Sequence, residues 1–279
     1  MRTFKVEKKH IPAIILVIAC IVVGVLCTIK AVDSIKYKEL LNDSSIIDFS
    51  QTSIIADGGH GTDVPKNTTY AVDDLVSKHI VSMKIDARLT ADKKWVALKD
   101  EDISSVTNGN GSVKNYRYYD LLNYNIKNYK ANEFPVIQLV NDAVKYAYQS
   151  GVTPIIYFHD FNKESGKELV NYFKSENIPV FGYASDNIKV LNYIRKLNGD
   201  VKLIYYVDDI TDEVISNCKK DSNMAICFNA GSKINFASAI EKTANEEVSF
   251  LCYGAETLKD VENLYKLGVR QFITDSVRG

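Results

Sequence analysis

The chain has 279 residues, of which 46% are hydrophobic, enough to bury at least one large core. Its 34 Lys and Arg residues are balanced by 35 Asp and Glu residues, so the formal net charge is −1. This balance gives no general attraction to nucleic acid. The sequence also has no basic stripe interleaved with aromatic residues, so nucleic acid is excluded as the expected partner.

The first predicted element is a membrane-spanning helix. Residues 11–29, IPAIILVIACIVVGVLCTI, run for 19 positions without a charge, and about 20 residues of helix cross the hydrocarbon core. Residues 1–10 carry four basic side chains against Glu7 alone, which favours a cytoplasmic tail. A cleavable signal peptide is the alternative, but the apolar stretch is long for one and no clear A-x-A site follows. We predict an uncleaved, single-pass anchor in the cell membrane, with the rest of the chain outside the cytoplasm.

Residues 30–50 are polar and mildly helical, and we predict that they form a juxtamembrane stalk before a domain of residues 51–279. In that domain short apolar runs alternate with helical patterns. Strands are predicted at 53–56, 82–86, 154–158, 179–183, 203–207, 224–228, 248–252 and 271–274. Helices are predicted at about 68–79, 136–149, 163–175, 187–197, 211–219, 234–243 and 256–267.

This alternation is typical of a parallel α/β architecture. The even spacing, and the lack of a Gly-rich dinucleotide turn, favour a closed (β/α)8 TIM barrel over an open sheet. The interval from 87 to 134 is too long for a simple connection and contains a further apolar run, WVAL. We predict an insertion folded over the top of the barrel.

In such barrels the chemistry lies where the strands end. The residues at the predicted strand ends are Asp57, Asp86, His159, Ser185, Asp186, Asp208, Asp209, Asn229, Tyr253 and Asp275. Most of these Asp, Ser and Asn residues are expected to be helix caps. Lys84 and Asp86 differ, because residues two apart in a strand point to the same face. Since a buried ion pair is costly to build, this pair is a candidate functional site.

Several stretches carry a family resemblance: IIADGG with VPKNTTYAV, then VSMKIDARLTADKKWVALKDEDISSVTNGNGSV, FPVIQLV, TPIIYFHD and LGVRQFITDSV. Together they resemble the glycerophosphodiester phosphodiesterase family, over about residues 53–277. The resemblance implies a (β/α)8 barrel. It also implies hydrolysis of deacylated phospholipid diesters to an alcohol and glycerol 3-phosphate, usually with a divalent cation.

Carried over residue by residue, the resemblance implies that most functional positions are substituted. Asp57 stands where the family has its first catalytic histidine, and Lys99 stands where it has the second. Lys84 and Tyr157 stand at two metal-binding glutamates, and Lys66 stands at the glutamate of Glu-Asn-Thr. The family residues that remain are Asn67, Asp86 and Asp100.

These substitutions change the available chemistry. Two imidazoles with pKa values near 6.5 exchange protons at neutral pH, whereas an aspartate near 3.9 and a lysine near 10.4 do not unless burial shifts their pKa values. A divalent cation needs several oxygen ligands. We therefore predict no metal or other cofactor, with Asp86 as the only family ligand retained. Lys84 is predicted to supply positive charge near Asp57, Asp86 and Asp100 instead.

Two hypotheses follow. In the first, the domain is catalytically degenerate and binds a phosphodiester- or glycerophosphate-type ligand, or a protein partner, through Lys66, Lys84 and Lys99 beside Asp86 and Asp100. In the second, it is an active phosphodiesterase with a rewired, metal-independent site. The candidate catalytic residues are then Asp57, His60, Lys99 and His159, with either histidine as base and Lys99 on the phosphate.

Overall fold

The strands of this computed structural model close into a barrel. The structure describes residues 52–61, 64–127, 135–243 and 248–275. Within them the strands are β1 Ser53–Asp57, β2 Ser82–Leu89, β3 Trp95–Ala97, β4 Thr153–Phe158, β5 Gly182–Ser185, β6 Lys202–Val207, β7 Met224–Asn229, β8 Ser249–Tyr253 and β9 Gln271–Thr274. Eight of them lie in the parallel order β1-β9-β8-β7-β6-β5-β4-β2, and β1 also pairs with β2. The predicted (β/α)8 barrel is therefore confirmed.

Helices follow the strands along the chain. They are α1 Thr69–Ser77, α2 Tyr118–Leu121, α3 Val140–Gln149, α4 Lys163–Ser175, α5 Ile188–Leu197, α6 Asp212–Lys219, α7 Lys233–Thr243 and α8 Leu258–Lys266. Helix α4 illustrates why they form. Its N-cap Asn162 accepts hydrogen bonds from the first-turn N–H groups of Glu164 and Ser165. Its apolar residues recur at helical spacing, so one face is buried.

The strands are buried on both faces, as expected in a parallel barrel. Their outer faces join the helices in the larger apolar cluster. Their inner faces form a second cluster inside the barrel, which includes four aliphatic residues from alternate barrel strands: Ile55, Ile155, Ile204 and Leu251. The residues that continue these inner faces toward the strand ends form the site described below.

The predicted insertion is present between β2 and α3. Strand β3 is antiparallel to residues 87–89 of β2, and the insertion has a small apolar core of its own around Val96, Ile103 and Val113. Two predicted boundaries are wrong. The helix predicted from 136 begins at Val140 because Val136 and Leu139 make β-bridges to the insertion. The strand predicted at 179–183 lies at Gly182–Ser185.

The predicted anchor (11–29), the tail before it (1–10) and the stalk (30–50) lie outside the described residues. Among the residues that are described, no helix has the length and apolar character needed to cross a membrane.

Candidate functional site

The inner face of the barrel changes from apolar to polar within one pleat. The inner face carries a second set of four residues, each two positions closer to the strand end than one of the first four. The first four are Ile55, Ile155, Ile204 and Leu251. The second set is Asp57, Tyr157, Tyr206 and Tyr253. All four line a cavity of about 450 Å³ at the carboxyl ends of the strands. The fold therefore places a polar cavity where barrels of this kind carry their chemistry.

A buried lysine lies at the centre of this site. The side chain of Lys84 is 5% exposed, and its Nζ is 2.6 Å from Asp57 Oδ1 and 2.6 Å from Asp86 Oδ1. The ring centroid of Tyr157 is 5.1 Å from the same Nζ. Burial alone would lower the pKa of Lys84, but the carboxylates of Asp86 and Asp57 raise it well above its ordinary value. The ammonium is therefore charged at every physiological pH.

Asp86 is fully buried, and its carboxylate has three polar contacts. Its Oδ1 contacts Lys84 Nζ and also His159 Nε2, at 2.8 Å. Its Oδ2 accepts a hydrogen bond from Asn67 Nδ2 (3.1 Å), and its backbone N–H donates to Asn67 Oδ1 (2.9 Å). Burial would raise the pKa of Asp86, but Lys84 and then His159 hold it well below its ordinary value. Asp86 is thus a fixed carboxylate.

The turn after β1 holds Asn67 in place. Asn67 is buried with φ of +59°, and its backbone N–H donates to the carbonyl of Gly58. Gly58 has φ of +72°, and a Cβ there would lie 3.0 Å from Asn67 Nδ2. Only glycine combines this conformation with so close an approach. The ADGG turn is therefore built to orient Asn67 toward Asp86.

Asp57 links this centre to the insertion. Its Oδ2 is 2.9 Å from Nζ of Lys99, whose side chain is 48% exposed. Lys99 follows β3, and Arg88 Nε donates to the Lys99 carbonyl at 2.7 Å, which ties this part of the insertion to β2. Burial would raise the pKa of Asp57, but the charge of Lys84, with Lys99, lowers it. The Asp57, Lys84, Asp86 and Lys99 cluster is therefore electrically balanced.

The structure thus brings together Asp57, Lys84, Asp86, Lys99 and His159, each of which is a candidate residue from the sequence. It does not bring His60 to them. His60 is not among the residues lining the cavity, and its carbonyl accepts a hydrogen bond from Lys78 Nζ on the outer surface. The turn that carries His60 contains Gly61, which has a φ of +92°. The backbone N–H of Gly61 donates a hydrogen bond to the carbonyl of Asp275.

Two further candidates lie beside the cluster. Lys66 Nζ pairs with Asp275 Oδ2 at 2.6 Å. Asp100 is exposed and lines a neighbouring cavity of about 390 Å³ with Lys66 and Lys99. The expectation that Asp100 lies next to Lys84 is wrong, because the carboxylates within 4.0 Å of Lys84 are those of Asp57 and Asp86.

Two predicted helix caps are also wrong. The N-cap residues of α5 and α6 are Asn187 and Thr211. Asp186 and Asp208 therefore remain free of capping and line the cavity, with Asp208 Oδ1 accepting a hydrogen bond from the Tyr253 hydroxyl at 3.1 Å. Sequence reasoning missed the tyrosine lining at 205 and 206, although the inward position of Tyr206 could have been found from its spacing with Ile204.

The resemblance implies a divalent cation, and the residues at the centre do not fit one. The two carboxylates that converge there, Asp57 and Asp86, already converge on the Lys84 ammonium. A divalent cation would lie against this fixed positive charge and would lack the six or so oxygen ligands it prefers. Within the described part of the chain, no group of three or more His, Cys, Asp or Glu side chains is arranged to hold a metal ion.

Comparisons with known proteins agree on the fold. The sequence model of the "Glycerophosphoryl diester phosphodiesterase family" matches residues 59–278. The chain is 23% identical over 239 residues to a glycerophosphodiester phosphodiesterase of Bacillus altitudinis, an alignment that covers 80% of this chain and 94% of that protein.

Solved structures show the same architecture. A phosphodiesterase of Oleispira antarctica, determined in complex with the product sn-glycerol-3-phosphate, matches with a TM-score of 0.72 and 18% identity, over 81% of this chain and 94% of that one. A putative glycerophosphodiester phosphodiesterase of Galdieria sulphuraria matches with a TM-score of 0.68 and 12% identity, over 84% of this chain and 96% of that one.

Proposed function

The chain belongs to the glycerophosphoryl diester phosphodiesterase family, and on that premise we propose that its barrel binds a phosphodiester- or glycerophosphate-type ligand without hydrolysing it. The observation that carries the proposal is the position of Lys84. Its ammonium joins Asp57 and Asp86 at 2.6 Å each, where the family resemblance places metal-binding and catalytic groups. A bound metal cation would offer its positive charge to a substrate. Here the positive charge of Lys84 is neutralised by two carboxylates of the protein itself.

The same cluster lacks a pair of groups suited to proton transfer. Asp57 takes the place of a histidine, and Lys84 holds its pKa below the ordinary value although burial acts in the other direction. An ionised aspartate cannot serve as a general acid at neutral pH. General acid–base catalysis is typically worth about 10²–10⁴-fold per group. Loss of that contribution supports a binding role over a hydrolytic one.

The ligand would meet a different lysine. Lys99 is half-exposed and lines the mouth cavity together with two neighbouring cavities of about 390 and 300 Å³. Lys66 lines both neighbours. These two ammonium groups are accessible, so we assign the phosphate contact to Lys99 with Lys66 beside it. Lys84 then acts as a positioning residue that holds Asp57 and Asp86.

One observation favours the second hypothesis, an active hydrolase. His159 lines the same cavity as Lys99, and its Nε2 is 2.8 Å from the buried carboxylate of Asp86. A histidine oriented by a carboxylate is an arrangement that general bases use. In this alternative His159 is the base and Lys99 contacts the phosphate.

One experiment separates the two. The full-length protein is incubated with glycerophosphocholine, release of glycerol 3-phosphate is followed, and Asp86→Ala and His159→Ala variants serve as controls. We expect the same background release from all three proteins. We also expect glycerol 3-phosphate to bind the unmodified protein measurably and the Lys99→Met variant more weakly. Release that is robust in the unmodified protein and lost in both controls would establish the hydrolase instead.

We also propose that residues 11–29 anchor the barrel outside the cytoplasm. The support is the uncharged 19-residue stretch with its basic tail. Protease added to intact cells should remove the domain and leave the anchor in the membrane. Full protection of the domain would place it in the cytoplasm.

A further inference from the structure

The chain enters the barrel at the end opposite to the mouth cavity. Strand β1 begins at Ser53, whose backbone N–H donates to the carbonyl of Arg270. The parallel register of β1 with β2, continued to the start of β1, places Ser53 beside the turn before β2. The residues that precede β1, including the predicted anchor, therefore join the domain at the amino ends of the strands. The cavity lies at the carboxyl ends.

An exposed apolar patch lies at the amino ends too. It consists of Val76 in the last turn of α1, Val81 in the turn before β2 and Tyr148 in the last turn of α3, which are 45%, 63% and 44% exposed. The three segments are neighbours. The Val81 carbonyl accepts a hydrogen bond from the backbone of Thr153, which follows α3, and a side-chain hydrogen bond joins α1 to α3. The patch is therefore next to the point where the chain enters.

The turns around the patch contain no acidic residue. They are 77–82 (SKHIVS), 149–153 (QSGVT) and 267–271 (LGVRQ). The described acidic residues at this end of the barrel are Glu176, Asp200 and Asp221, in the turns before β5, β6 and β7 on the opposite side of the barrel. Two of them are already paired, Glu176 with Lys145 and Asp221 with Arg195. The side on which the chain enters is thus open to an anionic surface.

Two cations face this end without a carboxylate partner among the described residues. Lys202, the first residue of β6, has its Nζ 3.4 Å from Gln271 Oε1 and 5.3 Å from the ring centroid of Phe181. Burial lowers the pKa of Lys202, so an anion nearby would stabilise its charged form. The Arg270 guanidinium, beside the start of β1, donates to backbone carbonyls.

We infer that this end of the barrel, with Val76, Val81 and Tyr148 at the contact, lies on the surface of a bilayer that contains anionic lipids. Apolar side chains and tyrosine rings suit the headgroup region, where one part of the ring is apolar and the hydroxyl stays wet. Lysine and arginine are attracted to anionic headgroups. The mouth cavity then faces away from the bilayer, which favours a water-soluble phosphodiester over an intact lipid of the same membrane as the ligand.

This inference rests on the proposed anchor at residues 11–29. The chain between that stretch and β1 spans at most about 75 Å when fully extended, so the tether keeps the domain near the bilayer without fixing which face meets it. A tether of this kind gives an effective concentration of the order of millimolar, at which a weak surface contact is sufficient. The surface of the domain therefore decides its orientation, and anchor and orientation can be tested separately.

The test measures how near each end of the barrel lies to lipid headgroups. The full-length protein is reconstituted in vesicles of phosphatidylcholine and phosphatidylglycerol in equal amounts, with a short-range quencher on some headgroups. A fluorophore is attached at Ser77→Cys, beside the patch, or at Asp120→Cys, in the insertion that follows the carboxyl end of β2; both positions are exposed. The described native cysteines are buried, and the unmodified protein is the labelling blank. We expect strong quenching at position 77 and little at position 120.

The combined substitution Val81→Asp with Tyr148→Asp places two negative charges on the patch at exposed positions. It should reduce quenching at position 77 several-fold, toward the level at position 120. The matched control is Tyr119→Asp, at a tyrosine of the insertion that is 79% exposed, and it should leave the quenching unchanged. Lys202→Gln should weaken quenching in these vesicles but not in vesicles of phosphatidylcholine alone. Thermal melts in detergent establish that each variant is folded.

The outcomes separate the anchor from the orientation. Flotation with vesicles that is lost after an alkaline carbonate wash would count against the anchor, while the quenching pattern still decides which face lies on the bilayer. Equal quenching at the two positions, or stronger quenching at position 120, would overturn the orientation and leave the anchor intact. Absence of flotation would overturn both. A dimer in detergent that the double aspartate variant dissociates would assign the patch to a second copy of the chain and would also overturn the inference.

Discussion

Two neighbouring levels of the barrel interior are stabilised in different ways. The lower level, with Ile55, Ile155, Ile204 and Leu251, is held by burial of apolar surface. The level above it contains Asp57, Lys84 and Asp86, which depend on one another's charges. Burial of apolar surface is non-directional, so an apolar side chain does not depend on one particular partner. A buried charge contributes to stability only while its partner is present. We therefore expect the lower level to tolerate conservative substitutions better than the upper level does.

The largest expected effect is loss of the central lysine. Lys84→Met keeps most of the side-chain volume but leaves Asp86 and Asp57 without their shared ammonium. Breaking a buried ion pair in this way typically costs about 3–5 kcal/mol, and we expect a fall of that size in the free energy of unfolding, measured by urea denaturation at pH 7.

The matched control is Lys99→Met, at the other lysine of the cluster. Because Lys99 is half-exposed, its pair with Asp57 should contribute about 1 kcal/mol or less. Equal effects of the two substitutions, or a stabilised Lys84→Met variant, would contradict the view that Lys84 is the central group.

The lower level should respond through packing. Ile204 is fully buried, and Ile204→Ala removes three carbons from its side chain. We expect the free energy of unfolding to fall by about 3 kcal/mol, and by about 1 kcal/mol for Ile204→Val. Denaturation curves at pH 5 and pH 7 should give the same differences, since no charge is involved. A clear pH dependence of the Ile204→Ala effect would show that the two levels are coupled.

The upper level should respond to pH with a defined sign. The folded-state pKa values of Asp57 and Asp86 are lowered, by Lys84 first among the charged neighbours, against the opposing effect of burial. Their contribution to stability is therefore complete above the unfolded-state pKa of about 3.9 and is lost as the pH falls below it. We expect the unmodified protein to lose stability below about pH 4.

Lys84→Met should reverse this trend. Without the ammonium, burial raises the pKa values of the two carboxyl groups. Protonation then removes the cost of keeping two unpaired charges buried, and so stabilises the variant. Its free energy of unfolding should then rise as the pH falls from 7 to 5, while that of the unmodified protein stays level. Parallel pH profiles for the two proteins would mean that Lys84 does not hold the carboxylates in their charged form.

The sequence predicts most of this architecture because the spacing of the apolar residues and the identity of the turn residues are local signals. Apolar runs with β-branched and aromatic residues give all eight barrel strands, and the two-residue spacing of Lys84 and Asp86 gives their shared face. The error at 179–183 arises because Pro179 and Val180 look like a buried strand although the chain joins the sheet only at Gly182.

The site is less predictable than the fold, because outside the strands the direction of a side chain depends on the backbone torsion angles of the turn that carries it. His60 lies three residues after Asp57, but the glycine turn between them carries it away from the cavity. The cap residues show a second ambiguity. At the ends of β5 and β6, Asp186 and Asn187, or Asp208 and Thr211, are all chemically able to cap a helix. The structure uses the later residue in each case, which leaves the aspartates at the cavity.

The smallest expected effect is that of divalent metal. Because the Lys84 ammonium lies between Asp57 and Asp86, calcium or magnesium at millimolar concentration should not raise the melting temperature of the full-length protein. The measurement is sensitive, since a ligand at 100 times its dissociation constant stabilises a protein by about 2.7 kcal/mol. In a domain of this size that corresponds to roughly 5–10 °C.

Lys84→Glu provides the contrast: it replaces the ammonium by a carboxylate that would join Asp57 and Asp86 as an oxygen ligand, and its melting temperature should rise on addition of either metal. A metal-induced rise in the unmodified protein would show that Lys84 does not replace the cation, and the charge-balanced centre would have to be abandoned.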